Sequence, residues 1–223
     1  MYYIWVFNHP MPIKAQLNKI SLFAAKAISY CFHPLLLPTL GLFLIFHTHS
    51  YLNLLLAKQQ QNMFLMMVAL ITILMPVLSS GIMLLRGHLV DFELQDPKDR
   101  RIPYFITAIY YAFGYYMLVN YLRLPRPLGL YLLGATLAVT LSLLITLKWK
   151  ISAHGIGVGG LVGGLLGFAH QVHVYIFPSL YLALVIAGLV GYARLKLNAH
   201  NPAQLYTGFL LGFLCEFLLF RLG

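Results

Sequence analysis

The chain has 223 residues, 61% hydrophobic and 9% charged, with fifteen Lys and Arg against five Asp and Glu. Its apolar residues come in runs of about twenty, the length that crosses a hydrocarbon layer of roughly 30 Å, which excludes an ordinary soluble domain. The net charge of +10 sits mostly at run ends and in short polar breaks, where bilayer orientation and anionic headgroups account for it, so no nucleic-acid partner is expected.

Lipid offers backbone groups no hydrogen-bond partners, and alternating ten-residue segments of the barrel type are absent. The expected fold is therefore all-α, a polytopic transmembrane bundle of six or seven spans. Met1 to Phe7 is apolar but lacks a preceding basic region and is cut short by Asn8-His9-Pro10, so it does not read as a secretory signal. Lysines at 14, 19 and 26 alternate with apolar residues up to Tyr30, which suits a basic amphipathic helix on the membrane surface. Residues 1–30 thus read as an interfacial segment ahead of one transmembrane domain, 31–223.

His33-Pro34-Leu-Leu-Leu-Pro38 permits a break, after which a first span runs to about Leu56. Asn62 to Leu85 is the second, with kinks expected at Pro76 and Gly81. Arg86 to Arg101 is the most polar stretch and holds Asp91, Glu93, Asp96 and Asp99, four of the five carboxylates. A tyrosine-rich third span extends from Pro103 to Leu122, and a turn at Arg123-Leu-Pro-Arg126-Pro leads to a fourth that ends near Leu147. Lys148-Trp-Lys150-Ile-Ser152-Ala-His154 follows, then glycines at 155, 159, 163 and 167 with a second row at 160 and 164. Neighbouring helices can approach such a face at backbone distance. Val174 to Gly191 and Pro202 to Phe220 complete the series, with the polar break Ala193 to Gln204 between them.

Two spans separate the 91–101 loop from His154, and two more separate His154 from Arg194 and His200. An even number of crossings returns the chain to the same face, so Lys98, Arg100, Arg101, Lys148, Lys150, Arg194, His154 and His200 share one membrane surface with Ser152. Arginine forks, lysine charges and backbone N–H groups at a helix start all suit phosphate oxygens. Two histidines beside them fit a two-step transfer in which one attacks phosphorus and the other protonates the departing oxygen.

Ser152-Ala153-His154 and Arg194 to His200 resemble the second and third motifs of the type-2 phosphatidic acid phosphatase superfamily, which read Pro-Ser-Gly-His and Ser-Arg, five residues, His, three residues, Asp. The likeness covers about residues 91 to 210. It implies an integral-membrane lipid phosphatase or polyprenyl-diphosphate phosphatase that works without cofactor or metal, on a lipid phosphate in the bilayer. His200 would form a phosphohistidine, His154 would be the general acid, and Arg194 would clamp the phosphate. Lys98 and Arg101 would stand for the first motif, Lys, six residues, Arg-Pro, with Ser152 and Lys148 as further phosphate ligands. Ile151, Ala153 and Ala193 replace the motif proline, glycine and serine, and Gln204 stands where the aspartate that orients the nucleophile belongs. A carboxylate from the polar loop, Asp96 or Asp99, is the substitute within reach; Glu216, about 24 Å along a helix from His200, is not.

Plainer readings stand beside these. Ser152 reads equally as a helix cap, Lys148 and Lys150 as anchors around Trp149, and the 86–101 loop as a solvated connection. His47 with His49 and His170 with His173 are spaced like metal pairs but lack accompanying Cys, Asp or Glu, and read as interfacial. A phosphate-binding or transport protein without turnover is the alternative that Gln204 raises. Eleven of the fifteen Lys and Arg, at 14, 19, 26, 86, 98, 100, 101, 148, 150, 194 and 196, fall on the motif face. The charge bias therefore makes that face of an inner membrane cytoplasmic, whereas the resemblance implies the outer one.

Overall fold

The computed structural model describes residues 13–89 and 99–223, and all regular elements among them are helical. Helix α1 (Ile13–Cys31) gives way to a 3₁₀ turn at Pro34–Leu36 and then to α2 (Leu37–Phe46). The break falls at His33, whose backbone is extended (φ −61°, ψ 140°), as a residue before proline prefers. Ten residues of α2 reach only about 15 Å, so the crossing begins in α1 and runs from Asn18 to Phe46. The first span is therefore earlier than the sequence suggests. Its expected continuation to Leu56 is stopped by a polar turn in which Thr48 Oγ1 donates to the Ile45 carbonyl and Asn53 Nδ2 donates to the Ile45 and Thr48 carbonyls. The short α3 (Tyr51–Leu55) follows. Helix α1 packs along the helix Phe177–Lys196, with Lys196 Nζ donating to Asn18 Oδ1 at 3.1 Å, and so belongs to the bundle.

The second span joins α4 (Lys58–Ala69) to α5 (Met75–Leu85) through a π turn at Leu70–Leu74. Pro76 lacks an N–H and its ring crowds the carbonyl four residues back, and the wider turn just ahead of it absorbs both defects. Gly81 stays in regular helix. Helices α6 (Arg101–Asn120), α7 (Arg126–Thr146), α8 (Ala153–Val172), α9 (Phe177–Lys196) and α10 (Pro202–Leu222) supply the remaining five of seven helical stretches long and apolar enough to cross a membrane. Large apolar side chains such as Phe113, Val185, Leu189 and Leu210 point outward, as a lipid-facing surface requires. The chain is an integral, multi-pass membrane protein with an all-α bundle.

Helix α8 is the centre of that bundle and lies parallel to α10, because α9 alone separates them. A Cβ added at Gly159 or Gly163 would strike the carbonyls of Phe209 or Phe213, and one at Gly208 or Gly212 would strike those of Ser152 or Ile156. The two helices thus meet backbone to backbone, with the glycine stripe of α8 and a shorter one of α10 facing each other.

Candidate functional site

Both helix N-termini of this parallel pair lie on the face that holds the 147–152 and 197–201 connections and Arg100 at the start of α6. From that face a cavity of about 800 Å³ descends into the bundle. Its walls carry His154, Arg194, His200, Arg100, Lys150 and His33 around the mouth, and Tyr131 and Glu216 at the floor.

His200 precedes α10 and is 7% exposed. Asn201 caps that helix: its Oδ1 accepts the Gln204 N–H at 2.9 Å, and Gln204 Oε1 accepts the Asn201 N–H at 3.2 Å. This reciprocal pair is a capping box, which calls for Gln or Glu three residues after the cap. The same Gln204 Oε1 lies 3.1 Å from His200 Nδ1. A carbonyl oxygen only accepts, so the proton of the neutral ring sits on Nδ1 and the lone pair on Nε2. Burial, then the charges of Arg100, Arg194 and Lys150, pull the His200 pKa down to about 4, with the Gln204 contact opposing them. The imidazole is neutral at physiological pH, the form that can attack phosphorus.

His154 occupies the second position of α8 and is 8% exposed. Its Nε2 is 3.0 Å from the Ser29 carbonyl, to which it must donate, so the neutral ring has its lone pair on Nδ1 and carries a second proton there only as imidazolium. Ser152 N donates to the Gln204 carbonyl at 3.2 Å, so the segments bearing the two histidines are joined directly. Arg194 falls in the last turn of α9, which runs five residues beyond Gly191 to Lys196, rather than in a loop. The end of α1 adds groups that the sequence reading overlooked. Ser29 Oγ is buried without a hydrogen-bond partner, and the His33 ring stands 5.7 Å from that of His154.

The other expected phosphate ligands lie elsewhere. Ser152 is fully buried as the cap of α8, its Oγ accepting the Gly155 N–H at 3.2 Å, and is not on the cavity wall. Lys148 is exposed and off the wall, and Arg101 points outward, donating to the Leu147 carbonyl at 3.3 Å. Its neighbour Arg100 takes the inward position instead: it is 4% exposed and donates to the Ile151 carbonyl at 3.0 Å. The register of α6, which begins at Arg101, decides which arginine turns in. Lys98, with Asp91, Glu93 and Asp96, lies outside the described residues; Asp99 does not line the cavity. On the opposite face His170 pairs with Arg221, and no group of three metal-binding side chains occurs among the described residues.

Fold and site define a multi-pass α-helical membrane protein with a deep cavity whose mouth is cationic and histidine-lined. Comparison with protein-family models, with curated proteins and with solved structures found no match.

Proposed function

We propose that the protein is a membrane lipid phosphate or polyprenyl diphosphate phosphatase, or phosphotransferase, that works through a phosphohistidine. The observation that carries this reading is the convergence of His154, Arg194 and His200, with Arg100 and Lys150, on one cavity mouth, with His200 Nε2 left unprotonated by its contact to Gln204. Phosphate would sit among the cations and the two helix N-termini. His200 Nε2 forms a bond to phosphorus as the P–O bond to the lipid breaks, and the departing oxygen takes a proton from Nδ1 of His154, which holds one there only as the imidazolium that the negative charge of the bound phosphate favours. Water then gives that proton back to His154 as it attacks the phosphohistidine, releasing phosphate and restoring His200. The apolar walls below the mouth suit a lipid chain.

Purified protein reconstituted in lipid should release phosphate from phosphatidic acid, phosphatidylglycerol phosphate or a polyprenyl diphosphate, and His200→Ala should abolish release. Folded protein that released none from any of them, with His200→Ala indistinguishable, would overturn the reading. A second reading, a phosphate- or lipid-binding or transport protein without turnover, is favoured by one contact. The Nδ1 partner of His200 is a neutral amide, which orients the ring but does not stabilise its cationic form. Vanadate binding without hydrolysis would select it.

We propose that the mouth is on the cytoplasmic side of an inner membrane, because span parity in the sequence assigns eleven of the fifteen Lys and Arg to that face. In a variant without Cys31 and Cys215, Lys148→Cys should react with an impermeant thiol reagent in inverted vesicles and not in intact cells; the reverse pattern sets the mouth outside.

A further inference from the structure

The cavity does not end in hydrocarbon. Glu216 of α10 is 2% exposed, lines the floor, and its Oε2 has no hydrogen-bond partner. The carboxyl occupies room left by glycines: a Cβ on Gly134 would come within 2.5 Å of Oε2, and one on Gly164 within 3.4 Å. The Tyr131 ring stands against the same Gly164, and its hydroxyl is directed at the Leu37 carbonyl at 3.5 Å. Below this level Leu42, Leu128, Leu165, Phe168 and Phe220 are buried together and close the bundle.

A carboxyl at membrane depth is costly to keep, the more so with a buried oxygen that has no hydrogen-bond partner. Three glycines around it, on two helices, give it space that a leucine core would otherwise fill. The same helix that carries His154 at the mouth carries Gly160 and Gly164 beside Glu216, so the floor lies about 9–15 Å below the histidine by helical rise.

We propose that Glu216, beside Tyr131, is a second binding point that takes a hydrogen-bond donor, a hydroxyl or amide N–H, carried in the chain region of the lipid whose phosphate occupies the mouth. The inference rests on the phosphate reading of the mouth and narrows its substrate class. A polyprenyl chain offers nothing to a carboxyl, whereas an acyl chain hydroxylated near its ester presents a donor at about this depth. The floor therefore selects hydroxylated or amide-linked lipid phosphates over polyprenyl ones, since a site built around a hydrogen bond rejects the analogue that leaves it unmade.

The test uses reconstituted full-length protein and two phosphatidic acids of equal chain length, one with 3-hydroxyacyl chains and one plain, together with a polyprenyl phosphate. Equilibrium binding and phosphate release are both measured. The hydroxylated lipid should bind about tenfold or more tighter than the plain one, one hydrogen bond's worth, and the polyprenyl phosphate no better than the plain lipid. Glu216→Leu should collapse the ratio towards one. Glu216→Gln, which keeps the volume and a polar end, should retain part of it and serves if the leucine variant does not fold. Equal affinities in the unmodified protein, or a ratio unchanged by either variant, overturns the inference. Absence of phosphate release with the affinity ratio intact sinks the phosphatase reading and leaves this one standing; release with equal affinities does the reverse.

Discussion

The imidazole of His33 meets that of His154 edge to face, with ring centres 5.7 Å apart and planes at 77°. The two come from sequence positions that share no motif, one at the break in the first span and one at the start of α8. His33 Nδ1 accepts the Leu35 N–H at 3.4 Å, which leaves Nε2–H of the neutral ring as a donor for an oxygen in the cavity.

His33→Ala should therefore weaken vanadate binding about tenfold, the value of one hydrogen bond to a charged group. His33→Gln restores a donor at similar reach and should recover part of the loss. Competition between vanadate and a lipid phosphate measures both. If alanine leaves affinity unchanged, His33 is packing for His154 and not a ligand.

On the phosphatase reading, the depressed pKa of His200 sets where its own acid limb falls. A neutral ring is needed for attack, so kcat/KM falls as pH drops through the value in the free protein, about 4, instead of the ordinary 6.5. No acid limb from this ring should appear between neutrality and about pH 5 in a pH profile fitted for kcat/KM, with the bundle shown to stay folded over that range. A limb near 6.5 would mean the surrounding cations and burial do not act on this ring as the geometry requires.

Gln204→Glu keeps the reach to His200 and the capping box while adding charge; Gln204→Asp adds it one methylene shorter. Either carboxylate should raise the His200 pKa and stabilise its phosphorylated, cationic form. Neutralising the aspartate of a catalytic triad costs about 10⁴ in rate, so a gain of ten- to a hundredfold in hydrolysis is expected, with the acid limb moved upward. Single-turnover release of phosphate is the measurement. No gain in either variant would favour the binding or transport reading.

Gly159→Ala drives a methyl into the Phe209 carbonyl, an atom that cannot rotate away. Overpacking of this kind costs about 1–3 kcal/mol, seen as a lower midpoint of thermal unfolding in detergent. Gly188→Ala on the outward side of α9 meets nothing within 4 Å and should be neutral or stabilising by up to about 1 kcal/mol. Equal behaviour of the two would show that α8 and α10 are not in backbone contact.

The class of fold was legible because apolar run length and the lack of backbone partners in lipid leave one solution, and span parity placed the three polar stretches on one face. The glycine stripe of α8 was legible too, since small residues four apart have few other uses at this length. The inward arginine was not: Arg100 and Arg101 differ by 100° around a helix whose start no local signal fixes. Nor was His33, which reads as part of a His-Pro break until α1 is seen packed on α9. Nor was the place of Glu216 in the cavity, since helical rise puts it too far from His200 for contact with that ring. Distance along one helix does not say that a cavity joins both ends.

The backbone contact between α8 and α10 also divides labour among the walls. His154 stands in the first turn of α8 and His200 just ahead of α10, and the backbone bond from Ser152 N–H to the Gln204 carbonyl ties those two starts together. A lipid bound as proposed would meet other elements on the remaining walls, among them Ser29 and Tyr30 of α1 and Val77 and Ser80 of α5. One side of the chamber is thus a pair of main chains in contact, and the other is lined by side chains of separate helices.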